Sequence, residues 1–117
     1  MFLELAHTKP DVYQASQMLA LDCYKISRQF PAEEKLSMAQ QLRRAALSVH
    51  LNLAEGCSGK SKAERNRFFE IYRSSVIEMD ACLEIALKLG YVSMKNLTPL
   101  GESIIKTFKL LFGMINR

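Results

Sequence analysis

The sequence predicts an all-α protein, an antiparallel up-down-up-down four-helix bundle formed by a single domain that spans residues 1–117. Apolar residues recur every three or four positions in four segments, which is the period of a helix, and no segment indicates a strand. Five glycines and three prolines leave few places where a helix must end. With 49% hydrophobic residues, the chain can bury one core without metal or disulfide bonds. Amphipathic helices joined by short loops bury their apolar stripes only against one another.

The first two helices are separated by proline. The first is predicted from about Pro10 to Gln29, and Phe30-Pro31 ends it because a residue before proline is disfavoured in the α conformation. Pro31 suits the first turn of the second helix, which runs to Glu55, and Gly56 is expected to follow it in the left-handed conformation. The predicted inward residues are Val12, Ala15, Leu19, Cys23 and Ile26, then Met38, Leu42, Ala45, Val49 and Leu53.

The third and fourth helices follow a short loop. Ser61 with Glu64 three residues later is a capping box, so the third helix begins there, and Gly90 ends it. The start of the fourth helix stays open, because Ser93 suits a cap but Pro99 then falls in the second turn. The predicted inward residues are Phe68, Tyr72, Ser75, Met79, Cys82 and Ala86, then Ile104, Phe108, Leu111 and Ile115.

Gly59-Lys60-Ser61 ends as a phosphate-binding loop ends, but a nucleotide site is excluded on three grounds. Ala54 stands where that motif needs a glycine, the segment follows a helix instead of a strand, and no sheet is predicted. The remaining interpretation is a turn before a helix N-terminus, whose backbone N–H groups and nearby cations suit one phosphate of a polymer.

No arrangement of side chains points to catalysis, a metal or a cofactor. Glu4 and His7 form the one Glu-x-x-His spacing and have no second copy, as a di-iron bundle requires. The three cysteines form no CxxC pair, which excludes a disulfide framework and a zinc site. Cys23 and Cys82 are expected in the core, and Cys57 in a loop, where a reactive thiol is the alternative. We expect a protein without enzymatic activity.

Three polar residues within the helices have structural interpretations. His50 lies mid-helix and is expected at the surface or hydrogen-bonded, in preference to a catalytic role. Ser75 and Glu78 lie on or beside the inward stripe of the third helix. We expect them to form a buried hydrogen bond between helices, with an arginine of the second helix as one partner.

The net charge of +4 is concentrated in one part of the chain. Seven basic and three acidic residues lie between positions 43 and 73, whereas the rest of the chain has nine of each sign. The candidate nucleic-acid-binding residues are these seven: Arg43, Arg44, Lys60, Lys62, Arg65, Arg67 and Arg73. Such a patch suits binding of RNA or DNA through phosphates, and the alternative is a solvated charged face.

The second helix also has apolar residues on the side opposite its core stripe, at Leu36, Leu47, Leu51 and Ala54. A leucine row on the outer face of a bundle predicts self-association, and scattered surface leucines are the alternative. Arg43 and Arg44 border this row and can pair across a subunit boundary with a carboxylate such as Glu55.

No membrane segment or signal peptide is predicted. Charges interrupt every apolar run before the ~18 residues that a membrane span needs. The N-terminal stretch MFLELAHTK contains a glutamate and lacks a basic start. We expect a cytoplasmic bacterial protein without a membrane partner, and residues 1–9 are expected to form a flexible segment.

The stretches FPAEEK, QLRRAALSVHLNLAEG, GKSKAERNRFFEIYRSSVIEMDACLEIALKLGYVS and LLFGMI resemble the bacterial four helix bundle protein family. Its members include proteins encoded in intervening sequences of large-subunit ribosomal RNA genes, and related proteins are accessory variability factors of diversity-generating retroelements. The matching positions are Arg43, Arg44, Asn52, Glu55, Gly56, Ser75 and Glu78. The chain departs from the family pattern at His50, where proline is common, and at Tyr13, where tryptophan is frequent.

The resemblance implies a ring-like homopentamer with a basic surface suited to RNA or DNA. It also implies structural roles for Asn52, Glu55, Ser75 and Glu78. The alternative function is a scaffold for a protein partner, such as a reverse transcriptase, without direct binding of nucleic acid.

Overall fold

Four α-helices make up most of the computed structural model, which describes residues 2–3, 11–59 and 61–115. Helix α1 spans Asp11–Ser27, α2 spans Met38–Ser58, α3 spans Lys62–Lys88 and α4 spans Met94–Ile115. A 3-10 turn at Ala32–Glu34 lies between α1 and α2, and the described residues contain no strand. The predicted all-α, four-helix fold is confirmed.

Each helix contacts two others: α1 contacts α2 and α4, and α3 contacts α2 and α4. The contact between α2 and α3 is the most extensive. The longest dimension of the molecule is 43 Å, close to the ~40 Å length of a helix of 27 residues, so the helices lie along one axis. This arrangement is consistent with the predicted up-down-up-down order. Over the described residues, none of these helices is both long enough and apolar enough to cross a bilayer.

The predicted inward stripes form one hydrophobic core. The predicted residues that are buried are Val12, Leu19, Cys23, Ile26, Leu42, Ala45, Val49, Leu53, Tyr72, Ser75, Met79, Ala86, Ile104 and Leu111. Ala15, Met38, Cys82 and Phe108 are half-buried at the margin of the core. The side chain of Ile115 lies outside the described residues, as do residues 4–9 of the predicted N-terminal segment.

The sequence predicts Phe68 as the inward residue of α3, but its neighbour Phe69 is the buried one. Phe69 is only 3% exposed, whereas Phe68 is half-buried, with the Arg67 guanidinium 5.8 Å from its ring centroid. The ring of Phe69 has room in the core because it lies against Gly56 of α2, where a Cβ atom would come within 2.5 Å of the ring.

The prediction that Gly56 ends the second helix in the left-handed conformation is wrong. Helix α2 continues to Ser58, and the one glycine with a positive φ among the described residues is Gly90. Gly56 is buried, and the absence of a side chain there lets α3 approach α2 closely. Close helix packing, and not backbone conformation, is therefore the reason for a glycine at this position.

The second helix also begins later than predicted. Pro31 has extended backbone angles and precedes the 3-10 turn, and α2 starts only at Met38. Ser37 has non-helical backbone angles, φ −128° and ψ −94°, so no helix continues through this residue. Leu36 therefore lies in a turn before α2 and does not share a helical face with Leu47 and Leu51, as the sequence predicts.

The ends of α3 and the start of α4 have identifiable caps. The Ser61 hydroxyl accepts a hydrogen bond from the backbone N–H of Glu64 at 3.0 Å, and Gly90 follows α3 with φ 78°, both as predicted. Ser93 caps α4 by accepting from the N–H of Asn96 at 3.2 Å. Pro99 is tolerated within α4 because its missing N–H leaves only the carbonyl one turn earlier without a donor. That carbonyl lies on a side of the helix that water reaches.

Candidate functional site

A polar contact joins α2 to α3 where the sequence predicts a buried hydrogen bond. The Ser75 hydroxyl donates to the Ser48 hydroxyl at 2.9 Å, and the Asn52 amide donates to the Ser48 carbonyl and hydroxyl at 2.9 Å and 3.0 Å. The partner of Ser75 is thus a serine, and the predicted arginine is not its partner. Glu55 and Glu78 are exposed, so Glu78 takes no part in a buried contact.

Arg43 faces α1 and not open solvent. Its Nε donates to the Ser27 hydroxyl at 2.8 Å, and its guanidinium lies 5.7 Å from the centroid of the Tyr24 ring. Ser27 is buried and donates its own hydrogen to the Tyr24 carbonyl at 2.7 Å, so its oxygen is oriented to accept. Arg43 therefore joins α1 to α2, while Arg44 next to it is exposed.

The two residues that depart from the family pattern contact each other. The Tyr13 and His50 rings lie 4.6 Å apart between centroids, and His50 Nδ1 lies 2.9 Å from the hydroxyl of the buried Ser16. The Ser16 hydroxyl can donate its one hydrogen to the Tyr13 carbonyl at 2.9 Å. Which of the two groups donates across the Ser16–His50 contact depends on the tautomer of the imidazole. The histidine is hydrogen-bonded within the bundle, as the structural interpretation expected.

The side chain of Arg65 stabilises the turn between α2 and α3. Its Nη1 donates to the Gly59 carbonyl at 3.3 Å, and a Cβ on Gly59 would lie 2.8 Å from Arg65 Cγ. Arg65 is half-buried in this contact. Lys60, which belongs to the predicted binding set, lies outside the described residues.

Exposed cations continue along the first half of α3. Lys62, Arg67 and Arg73 are exposed, and no carboxylate of the described residues lies within 4.0 Å of any of them. The ion pair that the described residues do form joins Lys88 to Glu84 at 3.4 Å, near the other end of α3. We call Lys62, Arg65, Arg67 and Arg73 the basic region of α3.

One cation of α4 extends this charge and was not among the residues predicted from the sequence. Lys109 lies in the second half of α4 and shares a groove with Val76 and Ile77 of α3, whereas Lys106 lines a groove with residues of α1. Reversal of chain direction between α3 and α4 brings the second half of α4 beside the middle of α3. The sequence contained a signal for this contact, because basic residues in the second half of the last helix of an antiparallel bundle lie beside the third helix.

The outer side of α2 keeps two leucines exposed. Leu47 is 43% and Leu51 is 52% exposed, one helical turn apart, and Ala54 beside them is half-buried. We call these three residues the outer row. Leu36, the fourth predicted member, is 82% exposed in the turn before the helix.

The cysteines carry no sign of a reactive site. Burial raises the pKa of Cys23 from 9.0 to about 12, with smaller contributions from Asp22 and Cys82. Burial also raises the pKa values of Cys57 and Cys82, so their thiols are less acidic than a free cysteine. The described residues contain no group of His, Cys, Asp or Glu that can hold a metal ion, and Glu4 and His7 lie outside them.

Comparisons with known proteins identify the family from the sequence and support the fold from a solved structure. The model of the family described as 23S rRNA-intervening sequence protein matches residues 8–113. A crystal structure of a protein of unknown function from the S23 ribosomal protein family of Bacteroides thetaiotaomicron is similar, with a TM-score of 0.83 and 20% identity over 91% of this chain and 99% of that chain. No curated protein matches. Because the family model covers most of its length, this chain belongs to the 23S rRNA-intervening sequence protein family.

Proposed function

We propose that this protein is a non-enzymatic, cytoplasmic homo-oligomer that binds RNA or DNA through its basic surface. The observation that carries the proposal is the set of exposed cations on α3 that lack carboxylate partners among the described residues. Cations without partners keep their full charge for phosphates, and binding then gains free energy from the release of counterions.

The spacing of these cations suits a polymer. Lys62 and Arg73 are eleven positions apart on one helix, or about 16 Å, which is the rise of about five base pairs. Arg67 lies between them along the helix axis but on the flank of their shared face, and the N-terminus of α3 adds backbone N–H groups that favour an anion. Such contacts go to phosphates and carry no sequence information, so we expect binding to differ little between sequences.

The family name favours RNA as the first ligand to test. It associates related proteins with intervening sequences of 23S rRNA, and no contact in this chain distinguishes RNA from DNA. Phosphate binding alone accepts either polymer.

Oligomerisation multiplies the basic region. The outer row presents two leucines that a partner protomer can cover, and full burial of one leucine contributes about 1.5–3 kcal/mol. The family resemblance favours a pentamer, in which five basic regions act on one polymer and raise its apparent affinity. Arg44 borders the outer row and is exposed, so it belongs either to this contact or to the nucleic-acid surface.

A scaffold for a protein partner, such as a reverse transcriptase, is the second candidate. The specific observation in its favour is the same exposed outer row, which a different protein can also cover. In that case the cations of α3 do not affect the interaction.

Two triple variants of equal charge test the proposal. The first replaces Lys62, Arg67 and Arg73 by alanine; the second replaces Lys25, Lys35 and Lys95, which are also exposed but lie towards the other end of the bundle. Binding to labelled RNA and DNA is measured by fluorescence anisotropy at several salt concentrations. The first variant is expected to weaken binding to all sequences and to reduce the salt slope by about two to three units. Equal losses of affinity in the two variants, or a wild-type affinity that does not change with salt concentration, would contradict the proposal.

A further inference from the structure

A groove between α3 and α4 forms an apolar depression on the described surface, next to the basic region of α3. It has a volume of about 290 Å³, and its lining is mostly aliphatic and aromatic. The lining residues are Val76, Ile77, Asp80, Ile104, Ile105, Phe108 and Lys109. Ile77 is 48% and Ile105 is 57% exposed, so the bundle does not fill the groove from within.

Two aromatic rings stand at the basic end of this groove. Phe108 and Phe112 are one turn apart on α4 and meet edge to face, with ring centroids 5.2 Å apart. Phe108 packs against the core, while Phe112 is 49% exposed. Edge-to-face contact fixes the orientation of the outer ring, and half of that ring remains open to a ligand.

Cations lead directly into the groove. Lys109 is part of the lining, and Arg73 lies one turn before Ile77 on α3. Lys62 and Asn66 precede Arg73 on the same face of α3, as their spacing dictates. The basic region of α3 and the apolar groove therefore form one continuous tract, which ends at Asp80.

We propose that this groove receives the unpaired bases of single-stranded RNA or DNA whose phosphates follow the basic region of α3. This inference rests on the proposed function and names the class of its ligand. Proteins that bind single strands combine a cationic track with exposed aromatic rings on which bases stack, and both features meet here. A duplex keeps the faces of its bases stacked inside and offers only phosphates, so it cannot use Phe112 or the groove.

The cations at the entrance also distinguish this ligand from a protein helix. An amphipathic helix of a partner protein binds an apolar groove through its apolar face. The basic tract that continues to the N-terminus of α3 adds nothing to such a contact. Asp80 sets the far limit of the tract, because a carboxylate there repels a passing phosphate. A strand that enters from the basic end thus places its bases first against Phe112 and then against the apolar lining at Ile77 and Ile105.

A tryptophan reporter tests the inference directly, because the chain contains no tryptophan. Phe112→Trp places one fluorophore at the groove, and Ile85→Trp places a control fluorophore at a position of α3 that is equally exposed, at 49%, and does not line the groove. Single strands are expected to quench the emission of Phe112→Trp. The quenching is expected to saturate at the same nucleic-acid concentration as the fluorescence anisotropy. The same strands are expected to leave Ile85→Trp unchanged, and a duplex of the same sequence is expected to quench neither.

Affinities of three further variants provide a second readout. Phe112→Ala is expected to weaken single-strand binding about five- to hundredfold, Phe112→Tyr to retain it, and Ile85→Ala to have no effect, while duplex binding stays the same in all three. Asp80→Asn is expected to raise single-strand affinity about twofold, and Asp22→Asn on α1 serves as its control of equal charge.

The outcomes separate this inference from the proposed function. If the wild-type protein binds neither single strands nor duplexes at low salt, the proposed function fails. If it binds both equally, with a steep salt slope, and the substitutions at Phe112 change nothing, the proposed function stands and this inference is overturned. In that case the groove is left for an apolar partner such as a protein helix.

Discussion

Replacement of Gly56 by alanine tests how closely α2 and α3 approach each other. A Cβ atom at this position would lie 2.5 Å from Cε1 and 2.8 Å from Cδ1 of Phe69. Carbon atoms in contact are about 3.5–4.0 Å apart, so the ring must move by about 1 Å. Because Phe69 is only 3% exposed, its neighbours in the core must move as well. Overpacking of this kind costs about 1–3 kcal/mol.

A backbone effect of opposite sign must be subtracted. Gly56 has helical backbone angles within α2, where alanine is preferred to glycine by about 1 kcal/mol. We therefore expect Gly56→Ala to lower the free energy of unfolding by up to about 2 kcal/mol. Gly101→Ala in α4 is the matched control, because no atom lies within 4 Å of a Cβ built there. That variant is expected to be more stable than the wild type by up to about 1 kcal/mol.

Urea unfolding, followed by far-ultraviolet circular dichroism at one protomer concentration, measures both effects. A double-mutant cycle with Phe69→Leu adds a test of the mechanism, because a shorter side chain leaves room for the new methyl group. The cost of Gly56→Ala is expected to fall in the Phe69→Leu background. If Gly56→Ala is as stable as Gly101→Ala and shows no coupling to Phe69, close approach is not the reason for this glycine.

Three further predictions concern stability and its dependence on pH. Ser61→Ala removes the cap of α3 and is expected to cost about 1 kcal/mol in urea unfolding, whereas an unchanged midpoint would mean that the cap contributes nothing. Arg43→Lys keeps the charge but loses the Nε hydrogen bond to Ser27, so we expect a lower melting temperature and unchanged binding of nucleic acid. An unchanged melting temperature with weaker binding would instead assign Arg43 to the binding surface. The Cys23 thiol ionises near pH 9 in the unfolded chain but near pH 12 in the native bundle, so the native state holds an extra proton between these values. Stability should fall across that range by up to about 1.4 kcal/mol per pH unit, and Cys23→Ala should flatten the decline relative to wild type; equal slopes would contradict the burial of this thiol.

Much of the fold follows from local rules that one sequence contains. Helical periodicity predicted most of the core positions, and the hydroxyl of Ser61 and the glycine at position 90 predicted the bounds of α3. These features depend on residues close together in the chain. Gly56 could not be interpreted in the same way, because its reason is the ring of Phe69 on another helix.

The candidate site was harder to predict for the same reason. Sequence alone placed Arg43 among exposed cations, but its partner Ser27 lies sixteen positions earlier and on α1. Lys109 was missed because its proximity to α3 follows from the packing of antiparallel helices, which a count of charges along the chain does not include. Composition located the excess charge, and only tertiary packing showed which cations have partners.

Sedimentation velocity of a labelled RNA tests the central proposal most directly, because it reports binding and assembly together. At physiological salt and micromolar protein, we expect the RNA to sediment as one species that carries a closed homo-oligomer, of five protomers if the family resemblance holds. With Leu47→Asp and Leu51→Asp combined, we expect helical monomers and RNA that sediments almost at its free rate. Wild-type protein that remains monomeric, or RNA that sediments at its free rate in the presence of the wild type, would contradict the account.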